Sequence, residues 1–595
     1  MAQSFAHVLI NSLLPKSLRF GAKEVITKSS LNRKLVSFAK QEPELFNENI
    51  TSIKQYGDMF ATYEGISVGI DDIEPDYAAR DKILNEAENK LKKTSNVEER
   101  NKIYLDAQSR VRKLAAQHKG DLGLMARSGG RGNVNQLMKT VASPVVVGDH
   151  DGNPVDFLIK NSYSEGLSPL EYWIAANESR GQVIKGQLGT AEPGDMSKVL
   201  ANTSNRQVVS EEDCGTKNGM PISSRDKQAL GRYLSRDQVA GKRNDVVDQR
   251  MLDRMQGKTL FIRGPMTCEA TAGVCTFCQG VMNNGMRMNI GENAGLRSAQ
   301  ALSEPLTQMA LSSKHGIALV EGASNMPRGL KGLRQFLEAP KNFIGKAELS
   351  KISGTITKIE KAPHGGHYVH VNNTQHYVSP KRRVKVSLNQ RVQAGDILSD
   401  GIPNPNEIVD MKGIGEGRRY LVDKVHEVYK DSGLDIDKRN IEHIVKPHLN
   451  FAKIEKAPGM TPGEIVDVSK VSSLLKGKGV KVPLSEARGK TLARNYLQHI
   501  AGTKISSYIL SDLQRHNIDQ VEIFPGEFDM TPVTTSITRS PLLNDNWLNK
   551  LGHRYLSSTI QSAAHGAEEA STTGYAPIAA YVRGKSFGKG PKGNY

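Results

Sequence analysis

Three cysteines, Cys268, Cys275 and Cys278, stand in the run CEATAGVCTFCQG with the spacing C-x6-C-x2-C, and Cys214 closes the acidic run SEEDC upstream. A Cys-x-x-Cys knuckle lets two thiolates reach one tetrahedral ion, and four thiolates complete a structural zinc site with no histidine. With only 4 cysteines in 595 residues, a disulfide scaffold is excluded and a metal site is favoured. The competing reading is an ordinary buried thiol at Cys214 beside a redox-active cluster. Carboxylates offer a second chemistry. Asp149, Asp151 and Asp156 in and after GDHDGNP resemble a magnesium site on paper, but Asp-Gly and Asn-Pro are turn signals, and the flanks VASPVVV and VDFLI read as two strands of a hairpin. Asp71 and Asp72 could also bind metal, yet an Ile-Asp-Asp run more often caps the next helix. The run SGGRGN permits close approach of backbone to a ligand, with Arg131 supplying charge, but it lacks the Lys-Ser/Thr ending of a phosphate-binding loop.

The elements that must position these residues follow from composition and periodicity. A chain of 595 residues is too long for one core and should form several modules. Lys+Arg exceed Asp+Glu by 80 − 63 = 17, which points to a polyanionic partner, most simply nucleic acid. No run approaches the ~18 apolar residues of a membrane helix, and the first residues carry no cleavage pattern; a cytoplasmic protein is expected.

The expected fold is α+β, multidomain and helix-rich. Residues 1–75 are largely helical. Over 76–120, Leu84, Ala87, Leu91, Ile103, Ala107, Val111 and Leu114 recur at helical spacing around a break at Thr94-Ser95-Asn96, predicting a coiled-coil hairpin that forms a solvated arm. Residues 121–164 hold the SGGRGN loop and a β-hairpin. Over 165–213 a long helix is expected, with a kink or break at Pro193-Gly194, because proline removes a backbone donor and glycine adds backbone entropy. Residues 214–290 carry the cysteines and a small α/β insert. Residues 291–340 form two helices around the loop GIALVEGASNMPRG, 341–410 a β-rich module and 411–540 a mixed α/β region. Residues 541–595 end in a helix and a basic, glycine-rich tail.

Taken in order, SGGRGN, EGLSPLEYWI, TAEPG, SEEDCGT, CEATAGVCTFCQG and GENAG…AQALSEPLTQMALSSKH resemble the C-terminal half of the β′ subunit of multisubunit RNA polymerase. The resemblance extends to GISVGIDDI upstream and to AGDILSDGIPNPNEI and RRYLVDKVHEVYKDSGLDIDKRNIEHIV downstream, covering roughly residues 50–455. It implies that residues 76–118 form the rim of the secondary channel and that SGGRGN braces a bridge helix over about 177–206. In that helix Thr190 and Ala191 would touch the templating base pair, and Arg180 and Lys198 fall on basic positions. It implies a trigger loop over 299–338, with Gln308 near the incoming ribose, Leu311 packing on the base and His315 facing the phosphates. These three stand at i, i+3 and i+7, one helical face.

Departures accompany the resemblance. Ser312 stands where the family usually has arginine, Lys314 where an aromatic is common, Leu306 in place of a glycine, Gly189 in place of a basic residue and Asp195 in place of an aromatic. The family's magnesium-binding Asn-Ala-Asp-Phe-Asp-Gly-Asp run is absent. The resemblance therefore implies a split β′ subunit, similar to those of giant bacteriophage polymerases. Structural Zn2+ would lie in this chain, and catalytic Mg2+ would be held by the aspartate triad of a partner N-terminal β′ chain. Further implied partners are one or more β-type chains, a promoter-recognition factor, DNA template, RNA product and nucleoside triphosphates. The reading from another class is a zinc-containing nucleic-acid-binding or polymerase-mimicking regulatory protein without catalysis.

Overall fold

The computed structural model describes residues 5–567 apart from 23, 75–76, 149–153, 271, 283–284, 313–328, 341, 433, 545 and 552–554. The chain forms two compact units, Met1–Thr190 with Ala310–Ser324, and Ala191–Met309 with Asn325–Tyr595.

The first unit is helical. α1 (Phe5–Leu13), α2 (Lys28–Gln41) and α3 (Pro43–Glu64) come first, with Leu14, Phe20 and Phe38 buried among them. α2 opens on a capping box in which the Thr27 hydroxyl accepts from the Ser30 amide at 3.1 Å, satisfying a donor that has no intrahelical partner. α4 (Tyr77–Leu91) and α5 (Val97–Ala115) form the expected helical pair. Their apolar stripe is not a solvated arm, however: Leu84, Ala87, Ala107, Val111 and Ala115 are buried together with Leu137, Met138 and Val141. The last three lie on α7 (Val134–Val141), which follows α6 (Asp121–Ser128). The hairpin's own two faces supply too little burial, and α7, whose apolar residues also fall at helical spacing, closes the third side.

The loop SGGRGN is the turn between α6 and α7. Gly129 ends α6 in the left-handed region at φ 77°, and the Asn133 side chain caps α7 by accepting from the amides of Asn135 and Gln136, both at 2.9 Å. Antiparallel bridges Val145–Ile159 and Gly148–Pro154 flank GDHDGN, as a hairpin requires; Asp149 and Asp151 lie outside the described residues. Asp156 is engaged by the Arg100 Nε at 2.8 and 3.0 Å and by the Tyr104 hydroxyl at 2.9 Å. Burial and that hydrogen bond push the Tyr104 phenol up to about 12, so it remains a donor. Asp156 thus joins α5 to the hairpin. The unit ends on α8 (Pro169–Leu188).

α9 (Ala191–Ser204) opens the second unit. The helical break lies at Gly189-Thr190, not at the expected Pro193-Gly194. Pro193 is the third residue of α9 and is buried. The first turn's N–H groups have no intrahelical acceptors, so a proline there removes no hydrogen bond. Next come β1 (Val209–Glu211), β2 (Met220–Ser223), α10 (Gln249–Arg254), β3 (Thr259–Ile262), β4 (Val274–Cys275) and α11 (Thr276–Gln279). β2 pairs antiparallel with β3, which with α10 makes the α/β insert expected within 214–290. α12 (Ala294–Ser312) and α13 (Gly329–Glu338) follow. β5 (Gly354–Lys361), β6 (His367–Val371), β7 (Thr374–Val378) and β8 (Arg391–Val392) make an antiparallel sheet of order β7-β6-β5-β8. Its alternation places Ile356, Val369, Val371 and Val378 inside.

α14 (Pro405–Lys412), α15 (Ile414–Asp431) and α16 (Lys438–His448) come next, α16 capped by Asp437, which accepts from the Arg439 amide at 2.8 Å. The mixed region continues with β9 (Phe451–Lys456), β10 (Ile465–Asp467), α17 (Val468–Leu475), β11 (Val480–Pro483), β12 (Thr491–Leu492), α18 (Ser507–Arg515), β13 (Gln520–Phe524) and β14 (Asp529–Pro532). These strands form two three-stranded sheets, β10-β9-β14 and β11-β13-β12. The helical stretch expected after residue 541 holds, among the described residues, α19 (Trp547–Lys550) and α20 (Leu556–His565).

One apolar core unites α9, α12, α13, α15 and α16 through Leu200, Leu302, Leu333, Leu337, Tyr429, Ile441 and Val445. Pro305 stands inside α12, and the Tyr429 hydroxyl donates to the Leu302 carbonyl at 2.9 Å, next to the carbonyl that Pro305 leaves without a helical donor. Leu200 is 1 % exposed. Leu200→Ala should therefore destabilise the protein by about 2–5 kcal/mol, read as a lowered midpoint in denaturant; a midpoint unchanged from the parent would remove Leu200 from the core.

Candidate functional site

The four cysteines converge. β1 runs parallel to β4, with Val209 beside Val274 and Glu211 beside Cys275, so the end of β1 delivers Asp213 and Cys214 to the knuckle. Gly273 makes that pairing possible: at φ 65° its backbone passes so close that a Cβ would lie 2.0 Å from the Val208 carbonyl oxygen. The knuckle is one turn of helix, α11, opened by the Cys275 sulfur, which accepts from the Cys278 amide at 3.3 Å. The Cys275 amide donates to the Cys268 sulfur at the same distance. All four sulfurs lie within 4.8 Å of one another, and those of Cys214 and Cys278 are 3.8 Å apart. A tetrahedral ion with metal–sulfur bonds of about 2.3 Å separates its ligands by about 3.8 Å. The four cysteines are not joined as disulfides, and the geometry fits a soft tetrahedral ion. Without such a cation, burial drives the Cys278 thiol well up.

Two residues that the spacing did not flag complete this site. Arg263, wholly buried, directs its guanidinium at the sulfurs and at Asp213, with Nη2 2.7 Å from the Asp213 carboxylate. Burial acts to raise the Asp213 carboxyl, but hydrogen bonds from Arg263, the Gly215 amide and Asn244 outweigh it and hold the group at about 2. The available signal was an arginine ending the apolar strand TLFIR and an aspartate adjoining a cysteine.

α16 fastens the cysteine element from one helical face. Arg439 donates to the Val281 carbonyl at 2.8 Å, His443 meets the Gln279 side-chain oxygen, and Lys446 donates to the Cys268 carbonyl at 3.1 Å. The spacing 439, 443, 446 repeats one face of the helix. Beneath it Glu442 forms a fork with Arg232 at 2.6 and 3.1 Å, both residues 2 % exposed. Removing either partner would leave an uncompensated buried charge. A cleft of about 840 Å³ opens beside Cys268, with Arg206, Lys446, Lys476 and Arg494 in its wall.

The other expected site residues are placed as follows. Arg180 is exposed on α8, Thr190 is exposed in the break, and Ala191 and Lys198 are exposed on α9. Arg131 is exposed in the turn before α7. Gln308 and Leu311 belong to the backbone of α12, which runs to Ser312, while their side chains and all of His315 lie outside the described residues. The structure therefore gathers the cysteines into a described site. Among the described residues, no helix is long and apolar enough to cross a membrane.

Residues 166–457 match the family RNA polymerase Rpb1, domain 5. This span contains α8, α9, the cysteines, α12, α13 and the β5–β8 module. The chain is also similar to proteins named DNA-directed RNA polymerase subunit beta'. It is 29% identical over 465 residues to that of Acetivibrio thermocellus, covering 70% of this chain and 39% of the relative. It is 28% identical over 541 residues to that of Caldanaerobacter subterraneus (81% and 45%) and 26% over 598 residues to that of Chloroflexus aggregans (78% and 39%). The chain thus spans about two-fifths of the length of the curated relatives it matches, and the similarity is to part of a β′ subunit.

Two buried histidines of α16 should make folding pH-dependent. Burial pushes His443 down to about 3 and His448 down to about 4, so both are neutral in the folded chain. In the unfolded chain each takes up a proton below about 6.5. Their contribution to stability is complete above that pH and falls as pH drops toward the folded values, by about 1.4 kcal/mol per pH unit for each imidazole. The thermal midpoint should fall between pH 7 and pH 5, and the double variant His443→Gln, His448→Gln should flatten that slope; an unchanged slope would exclude these two groups as its source.

Proposed function

We propose that this chain is the C-terminal β′-type part of a DNA-directed RNA polymerase, a subunit of a nucleotidyltransferase that is inactive alone. The observation that carries the reading is the family match over 166–457 together with the four cysteines that converge within it. In this proposal the cysteines hold one structural zinc ion. α8 and α9 correspond to the bridge helix, with Thr190 and Ala191 against the templating base pair and Arg180 and Lys198 toward nucleic acid. α12, residues 313–328 and α13 correspond to the trigger loop.

The chemistry proposed for the chain's own residues is positioning. Leu311 packs on the incoming base, Gln308 orients the ribose, and His315 orients the phosphates or supplies a proton. A segment that closes over a matched nucleotide excludes water and completes the site. The shared core of α9, α12 and α13 supports this reading, because it anchors the base of a closing segment to the helix nearest the template. The magnesium ions, when bound, activate the attacking hydroxyl and stabilise the leaving pyrophosphate. No Asn-Ala-Asp-Phe-Asp-Gly-Asp run occurs in these 595 residues, and Asp156, held by Arg100 and Tyr104, is not a substitute, so the proposal places the aspartate ligands outside them. The bacteriophage source, the cytoplasmic placement and the partner chains belong to the same proposal. The excess of 17 positive charges supports contact with nucleic-acid backbone, and binding should weaken as salt rises.

Two measurements test it. In the purified complex, His315→Ala should slow nucleotide addition about 100-fold; extension at the parental rate would overturn the trigger-loop assignment. The parent chain should carry about one zinc ion, as a four-cysteine site does, and Cys278→Ser should lose it. A parent without zinc, or a variant that keeps it, would overturn the metal assignment.

A further inference from the structure

Arg263 is the largest fully buried side chain among the described residues, at 0 % exposure. Taking a guanidinium out of water costs several kcal/mol unless charge and hydrogen bonds offset it. Every nitrogen of this guanidinium has a partner. Nε donates to the Cys278 sulfur at 3.4 Å, and Nη1 to the Asn244 side-chain oxygen at 2.7 Å. Nη2 donates to Asp213 at 2.7 Å and also lies 3.4, 3.3 and 3.5 Å from the sulfurs of Cys214, Cys275 and Cys278. One planar fork therefore caps the face formed by three of the four candidate ligands.

Charge explains why an arginine belongs there. Four thiolates around a divalent cation leave a net charge of −2, held here at a site where Cys268, Cys275 and Cys278 are all buried. Asp213, against the same group, adds another negative charge. Uncompensated, that charge would favour protonation and release of a ligand. Arg263 supplies a permanent positive charge against the sulfurs, and N–H···S hydrogen bonds disperse the charge on each. Arg243, which meets Asp213 at 2.9 Å, occupies the outer side of the same carboxylate. A lysine at 263 would bring the charge but not the fork: a compact ammonium cannot reach Asn244, Asp213 and three sulfurs at once.

We infer that Arg263 is a positioning residue of the metal centre: its guanidinium, oriented by Asp213 and Asn244, neutralises the thiolate face made by Cys214, Cys275 and Cys278 and slows loss of the ion. It also makes the site depend on the α/β insert, because β3 leads directly into Arg263 and Asn244 lies in the insert. This inference rests on the metal reading of the four cysteines.

The test uses the full chain loaded with zinc. Release to a chromogenic chelator and alkylation of the four thiols are followed in the parent, Arg263→Met and Arg263→Lys, with far-UV circular dichroism as the check on folding. Outer partners of metal ligands change affinity about 10–100-fold. Arg263→Met should speed release by that factor and expose the thiols to alkylation. Arg263→Lys should fall between Met and the parent, because it restores charge without the fork. Release from Arg263→Met at the parental rate would overturn the inference, as would equal acceleration in Met and Lys, which would mean that shape alone matters. Should Arg263→Met fail to fold, Asn244→Gly decides. It removes one anchor of the guanidinium while suiting the left-handed backbone at φ 69°, and it should speed release several-fold; no change would overturn the inference. A parent that holds no zinc would instead overturn the metal reading beneath it.

Discussion

Four sulfur atoms within 4.8 Å of one another concentrate charge in a place with little access to water, and the centre of the second unit is arranged to tolerate this. Thiolates at that spacing would need a cation to offset them. Around the sulfurs the chain places Arg263, fully buried, and beyond it Asp213, Arg243 and Asn244. β1 and β4 bring the cysteine-bearing segments side by side, and α16 fastens the knuckle through Arg439, His443 and Lys446. Short strands and a single helical turn could not hold this geometry by their own propensities. Arg263 and α16 brace it from outside.

α16 also belongs to the apolar core that contains α9, α12, α13 and α15. One helix therefore presents a polar face to the cysteine element and an apolar face to the helices beside residues 313–328. The buried Arg232–Glu442 fork strengthens this junction. A buried ion pair adds little net stability against an apolar alternative, but breaking it leaves a charge without a partner, so it disfavours other arrangements of the same elements.

The carboxylates show how partners decide chemistry. Asp156 resembled a metal ligand by its place after an aspartate-rich turn, yet Arg100 and Tyr104 occupy it. Asp72 does not cap α4 as expected: Asp71–Ile73 form a 3-10 turn of their own, and the Asp72 carboxylate accepts from the Gly69 amide at 2.8 Å. Each carboxylate is thereby tied to a neighbouring donor.

The sequence by itself determined what depends on near neighbours. Leu84, Ala87 and Leu91 at helical spacing made α4, the alternation through Ile356 and Val369 made the β5–β8 sheet, and the Cys-x-x-Cys spacing made a knuckle, because each pattern acts within a few residues. The order of motifs was also legible, and the resemblance it carried agrees with the similarity to part of a β′ subunit. What only the tertiary structure decided depends on residues far apart in the chain. α7 covers the apolar stripe of α4 and α5, so no arm stands free. The helix break falls at Gly189-Thr190 and Pro193 packs inside α9, because a proline's effect depends on where the first turn begins. Arg263 reaches Asp213, 50 residues away, and Cys278, 15 residues away. An arginine after an apolar strand carries no local mark of its partners; burial and charge pairing are set only when the strands, the insert and the knuckle close around it.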